Sequence, residues 1–399
     1  MQLRSRARLF GTVVAALAAI PLAVLGTAAP SGAAASAGAT AHSCATAKAG
    51  FASCKALVRT DVVAAKSVAP NATPSGYGPS SLQSAYNLPS ATAGSGRTVA
   101  IVDAYDAPTA EADLAVYRSQ FGLPACTTAN GCFKKIDQNG GTNYPRKDGG
   151  WAQEISLDID MVSAICPNCH ILLVEAKSSS FANLGAAVNR AAATPGVVAI
   201  SNSYGGSDAS DASYGSYYNH PGIAVTASSG DSGYGASYPA SSHYVTAVGG
   251  TTLNTASNSR GWSETAWSGA GSGCSAYNTA LSGAASFGTG CAKRAEADVS
   301  AVANPSTGVA VYDSTAYQGY VGWMVFGGTS VSSPVIASVY ALAGNTGSID
   351  NNYPYTHASS LWDVTSGSNG SCPTTQWCNA RTGWDGPTGL GTPNGTGAF

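Results

Sequence analysis

Thr98-Val-Ala-Ile-Val-Asp103 is an apolar, β-branched run that ends in an acid. Close behind it comes Pro108-Thr-Ala-Glu-Ala-Asp-Leu-Ala-Val-Tyr117, with helical spacing and acidic residues in its first turns. The same alternation continues along the chain. Trp151 to Ile165 reads as helix, Ile171-Leu-Leu-Val174 as strand and Ala182 to Ala193 as helix. Val197-Val-Ala-Ile200 and Ile223-Ala-Val-Thr-Ala227 read as short strands running into polar, Gly-rich loops. Strands alternating with helices predict an α/β fold with a mostly parallel central sheet and helices on both faces. In such sheets function gathers in the loops beyond the carboxyl ends of the strands. Here those loops follow Val102, Ile200 and Ala227, and a helix begins after Val325.

Composition narrows the class. Of 399 residues only 10% are charged, 19 Lys or Arg against 21 Asp or Glu, where an average soluble protein has about 25%. A net charge of −2 provides no basic surface for a phosphate backbone, which excludes nucleic acid as a partner. With 44% hydrophobic residues, 19 Tyr, 7 Trp and 48 Gly, the chain suits a packed body with many tight turns. Residues 1–37 read as a secretory signal peptide: Arg4, Arg6 and Arg8 precede an apolar stretch from Leu9 to Leu25, and Ala35-Ser36-Ala37 matches a cleavage site. The alternative is a membrane anchor, but the stretch contains Pro21 and falls short of the roughly 20 residues a spanning helix needs. The mature protein is therefore expected outside the cell, with no membrane association. Residues 38–75, rich in Ala, Ser and Thr, read as a short pro-segment or linker, and 76–399 as one domain.

The ten cysteines fall into close sequential pairs: Cys44 with Cys54, Cys126 with Cys132, Cys166 with Cys169, Cys274 with Cys291, and Cys372 with Cys378. An even count in an exported chain predicts disulfides closing short loops. Cys166-Pro-Asn-Cys169-His170 could instead be half a zinc site, but no second half stands at zinc spacing.

Phe326-Gly-Gly-Thr-Ser330-Val-Ser-Ser-Pro334 carries Ser330 from a Gly-rich turn into an apolar segment, Val335 to Leu342. A Ser at a helix N-terminus has backbone N–H groups and a positive dipole end to offer a developing oxyanion; it is also a good helix cap without any chemistry. A nucleophilic Ser needs a base, usually His. The five His, at 42, 170, 220, 243 and 357, do not sit where a subtilisin-like enzyme carries its base, although Asp103 stands at the strand position of such an enzyme's Asp. Carboxylates can substitute. Glu154 and Asp158 are four apart in Trp151-Ala-Gln-Glu-Ile-Ser-Leu-Asp-Ile-Asp-Met161 and share one helix face. Two adjacent carboxyls do not both ionise easily, so such a pair can hold and pass a proton in acid. Solvated surface acids are the alternative, but the flanking Ile155, Leu157, Ile159 and Met161 predict a buried helix. Asp231, in Ser228-Ser-Gly-Asp-Ser-Gly233, follows an apolar strand. It is either a turn former or, kept protonated, a hydrogen-bond donor to an oxyanion.

As an ordered set these motifs resemble the sedolisin family of serine-carboxyl peptidases, from about Tyr77 to the C-terminus. The resemblance also draws on Pro79-Ser-Ser-Leu-Gln-Ser-Ala-Tyr86, Tyr238-Pro-Ala-Ser-Ser-His-Tyr244 and Asp298-Val-Ser-Ala301. It implies a subtilisin-like fold in a single catalytic domain, with Ser330 as nucleophile, Glu154 as general base then acid, Asp158 orienting Glu154, and Asp231 as oxyanion donor. It implies substrate binding by Ser203, Tyr204 and Gly205, with Tyr204 where Trp is frequent, and protein or peptide substrates taken by a monomer. It also implies one Ca²⁺ per chain, with carboxylates from Asp363 and Asp385 and carbonyls from Val364, Arg381 and Gly383, all hard oxygen ligands. Without the resemblance those last loops read as ordinary Gly-rich turns. Secreted members carry a large folded prodomain, whereas residues 38–75 are short. The rival readings are a secreted binding protein on a degenerate scaffold and a subtilisin-like enzyme using a distant His170 or His243.

Overall fold

The computed structural model describes residues 39–62, 74–345 and 351–399; the stretch read as a signal peptide, residues 1–37, lies outside them. At the centre is an eight-stranded sheet. From one edge its strands run Trp262–Ala266, Thr246–Thr255, Ala224–Ser228, Val197–Asn202, Thr98–Ala104, His170–Ala176 and Phe133–Asp137. Val299–Val302 pairs parallel to Thr246–Thr255, and the edge strand Trp262–Ala266 is antiparallel to it. The remaining pairs are parallel, as strands joined by helical crossovers must be. The fold is thus α/β with a mostly parallel sheet, as the alternation of elements predicts, and it agrees with the subtilisin-like fold that the resemblance implies.

Thr98–Ala104 is the strand at which chain order reverses, with His170–Ala176 on one side and Val197–Asn202 on the other. Its carboxyl end, at Asp103, opens the crevice that such a reversal creates. Two helices line that crevice. Gly149–Ile165 starts at Asp148, whose side chain accepts from the N–H groups of Gly150 and Trp151 and so caps two otherwise unpaired donors. Every residue from Gly150 to Ile165 is buried, because the helix packs between the Thr329–Ala343 helix and the Val309–Tyr317 strand. A helix apolar all round belongs in an interior. Its two turns of acids are therefore forced inside with it. Thr329–Ala343 is also sealed, and ends on Gly344 in the left-handed conformation, φ 73°.

All five expected disulfides are present. Of the stretch read as pro-segment or linker, residues 40–59 are woven into the body. Thr40–His42 and Leu57–Arg59 pair with each other, and the latter also pairs with Tyr320–Gly327. Ser53–Cys54 pairs with Tyr204–Ser207. Among the described residues no helix is long and apolar enough to cross a membrane.

Candidate active site

Ser330 is the second residue of the Thr329–Ala343 helix, presented by Gly327-Gly328. Gly328 has φ 96°, and a Cβ there would lie 1.9 Å from the Lys55 carbonyl oxygen and 3.0 Å from Asp231 Oδ2. Only glycine permits both the turn and the close approach. The Ser330 hydroxyl donates to the Ser203 carbonyl at 3.2 Å. Pro334, inside the helix, has no N–H to offer the carbonyl four residues back. That carbonyl belongs to Ser330, and the Ser203 hydroxyl lies 3.4 Å from it. The same hydroxyl is 2.8 Å from Asp158 Oδ1. Ser203 thus joins Ser330 to the acid pair.

Glu154, Asp158 and Ser330 are all fully buried. Both Glu154 oxygens and Asp158 Oδ2 lack a hydrogen-bond partner. Burial, with Asp103 second, drives the Glu154 carboxyl well above the ordinary range. The Ser330 hydroxyl and the Ala56 N–H face it and act the other way, but neither closes a bond of normal geometry. Asp158 is driven up by burial and then by Asp103 and Glu154. Three carboxyls in one dry pocket cannot all ionise, so the group retains protons where isolated acids would lose them.

Asp103 is the member that sequence reasoning left out. It ends the Thr98–Ala104 strand, is fully buried with neither oxygen partnered, and is pushed up to about 8 by burial. The clue was present in Val99-Ala-Ile-Val-Asp103, an acid at the carboxyl end of a core strand. Asp231 approaches from the loop after Ala224–Ser228. Its Oδ1 accepts from the Thr329 N–H at 2.7 Å and the Thr329 hydroxyl at 2.9 Å, while Oδ2 is out of contact with solvent and unpartnered. Burial raises it, opposed by Lys55 and the Thr329 bonds.

The strand after Ser203 is met through its backbone by the chain's own Ser53–Cys54 strand, Tyr204 opposite Cys54 and Gly205 opposite Ser53. The Tyr204 ring is fully buried, with its hydroxyl donating to Asn202 Oδ1 at 2.7 Å. His170 starts its strand opposite Thr98, at the far end from Asp103. His243 Nδ1 pairs with the Thr279 carbonyl at 3.1 Å. Neither has a contact with Ser330.

The second cluster lies in the C-terminal loops. Asp363 Oδ2 accepts from the Gly383 N–H at 3.0 Å and Asp385 Oδ2 from the Arg381 N–H at 3.1 Å, so both carboxylates converge on one turn. The Arg381 guanidinium points to Gln376 Oε1, 2.9 Å away. Asp385 is buried and pushed up to about 7 by burial, with Asp363 adding to the shift. Among the described residues no group of three or more His, Cys, Asp or Glu could hold a metal, so an ion here would rest on these two acids and main-chain oxygens. The donors are hard oxygens and, among the described residues, no cationic side chain pairs with the buried Asp385, which fits Ca²⁺.

The chain is 30% identical over 372 residues to kumamolisin of Bacillus sp. (strain MN-32) and 28% identical over 374 residues to sedolisin of Pseudomonas sp. (strain 101), each match covering 82% of it. It also superposes on a solved structure of Pseudomonas sedolisin, a serine-carboxyl proteinase complexed with two molecules of pseudo-iodotyrostatin. That match has a TM-score of 0.67 at 27% identity and covers 81% of this chain and 96% of that one. In sequence and fold the chain is similar to the sedolisin family. The matches span 63% and 61% of the length of the two curated sedolisin-family relatives. No protein-family model matches it.

Proposed function

We propose that the protein is a secreted, acid-acting serine-carboxyl endopeptidase, monomeric, that hydrolyses proteins or peptides through an acyl-enzyme on Ser330. The observation that carries this reading is the convergence of Ser330 with buried carboxyls whose oxygens lack partners. Ser330 Oγ attacks the scissile carbonyl carbon and Glu154 takes the hydroxyl proton. Glu154 then gives that proton to the departing nitrogen, and water, deprotonated by the same residue, releases the acyl group. Asp158 orients Glu154, and with Asp103 it holds protons beside it. Asp231 is anchored through Oδ1, which leaves protonated Oδ2 to donate to the oxyanion at the helix N-terminus. Only the protonated acid can donate, so the rate falls as pH rises and Asp231 ionises.

One Ca²⁺ held by Asp363, Asp385 and the carbonyls of Val364, Arg381 and Gly383 would supply the positive charge that Asp385 lacks and fasten the C-terminal loops. The catalytic assignment is tested with a peptide aldehyde, which forms a hemiacetal with an activated serine. After incubation at acid pH, wild type is expected to gain the mass of one reagent and Ser330→Ala none. Unmodified wild type would favour a binding protein on the same scaffold.

A further inference from the structure

The crevice is filled by the chain itself. Ser53–Cys54 lies antiparallel against Tyr204–Gly205, and the Lys55 N–H donates to the Ser203 carbonyl at 3.2 Å. The Lys55 carbonyl rests against Gly328 beside Asp231 Oδ2, and the Ala56 N–H faces Glu154. The Lys55–Ala56 peptide bond therefore stands at Ser330, with its carbonyl toward the oxyanion position and its nitrogen toward the general acid. Downstream, Leu57 and Val58 pair with Gly327 and Phe326. Upstream, the Cys44–Cys54 disulfide closes a ring. That ring ties the strand on the Ser203 side to Thr40–His42, which pairs with Leu57–Arg59 on the other side of the bond. The Ser43 N–H donates to the Ala56 carbonyl at 3.1 Å. The Cys44–Cys54 bond thus joins the strand before Lys55–Ala56 covalently to the segment that pairs with the residues after it.

We infer that residues 40–59 are an internal inhibitor that presents Lys55–Ala56 to Ser330, and that the Cys44–Cys54 ring is the clasp that makes it slow to leave. The inference rests on the peptidase reading. Cleavage would form an ester between Ser330 Oγ and the Lys55 carbonyl carbon as the bond to Ala56 nitrogen breaks. The hydroxyl proton passes through Glu154 to that nitrogen, and water then releases Lys55 as a carboxylic acid and restores Ser330. Because Ala56 stays held by Ser43 and Val58 stays in its sheet, the amine remains beside the ester and can attack it in reverse. The inhibitor also acts on the oxyanion donor: the Lys55 and His42 charges both favour ionised Asp231, the form that cannot donate. A segment of this length can do the blocking of a folded prodomain because the disulfide removes the freedom it would otherwise regain on release.

The test uses the full chain. Wild type, Cys44→Ser/Cys54→Ser and Ser330→Ala are brought to acid pH and followed by casein hydrolysis and N-terminal sequencing. The disulfide-free variant is expected to reach full rate after a lag at least tenfold shorter than wild type. A chain beginning at Ala56 should appear in both and never in Ser330→Ala. As a second measurement, an oxidised synthetic peptide of residues 39–62 is added to activated wild type. It should inhibit at least tenfold more tightly than the same peptide with both cysteines replaced by serine. Equal lags, or an oxidised peptide that leaves casein hydrolysis unchanged, would overturn the internal inhibitor and leave the peptidase standing. No hydrolysis by any form, the disulfide-free variant included, would overturn the peptidase and this inference with it.

Discussion

Asp298 and Glu154 are both fully buried acids in the same domain, but their surroundings differ. Asp298 is paired with the Arg294 guanidinium, through Nη1 at 2.9 Å and through a second, shorter contact from Nη2. It also accepts from the Tyr355 hydroxyl at 2.6 Å and the Ala247 N–H at 2.7 Å. Each of its oxygens has at least two donors, including the charged one that repays the cost of leaving water. Glu154 has none of these and faces two further acids, Asp103 and Asp158. An acid whose oxygens are met by donors on every side holds the fold together. An acid buried among other acids has no donor to fix its charge, so the group can share, take up and release protons.

The contrast separates activity from stability. Glu154→Gln is expected to lower casein hydrolysis by about 10²–10⁴-fold while leaving the melting temperature at acid pH within a few degrees of wild type. Asp298→Ala strands Arg294 in the interior and is expected to cost about 3–5 kcal/mol, read by denaturant unfolding. Should both variants fail in the same way, the distinction between the two acids collapses.

The next effect is on pH. Asp103 and Glu175 are pushed up to about 8 and Asp313 to about 7, all chiefly by burial. Their folded values lie above their unfolded ones, so the folded state binds more protons. Their contribution is then fully present at about pH 4 and below, and is lost as pH rises through 7 to 8. The melting temperature should fall between pH 4 and pH 8, and a rise over that range would show that these acids are ionised in the fold. Asp158→Asn, which keeps the shape and the Ser203 contact but removes one titrating group, is expected to cost about tenfold to a hundredfold in rate and to shift the pH profile. The smallest effect is at the C-terminal loops: EDTA should lower the melting temperature by a few degrees in wild type and leave Asp385→Ala unchanged.

Much of this was legible in the chain. The Val/Ile/Leu runs between helical stretches were long enough to mark the core strands, and the four-residue spacing of Glu154 and Asp158 placed them on one helix face. Ser330 and Asp231 sit beside Gly-rich turns whose chemistry is local. Asp103 was visible as a strand-end acid, but its membership of the cluster depends on which helix packs above that strand, a tertiary fact with no local signature. The strands at 40–42, 53–54 and 57–59 are two or three residues long, too short for any periodicity to register. They exist because their partners, Tyr204–Ser207 and Tyr320–Gly327, provide the open edges.

The most direct measurement is the initial rate of casein hydrolysis by acid-activated protein from pH 2 to 8, wild type beside Ser330→Ala. Carboxyl-based proton transfer predicts an acid optimum in wild type, decline toward neutrality, and loss of hydrolysis at every pH in Ser330→Ala. A neutral or alkaline optimum, or equal rates in the two proteins, would contradict it.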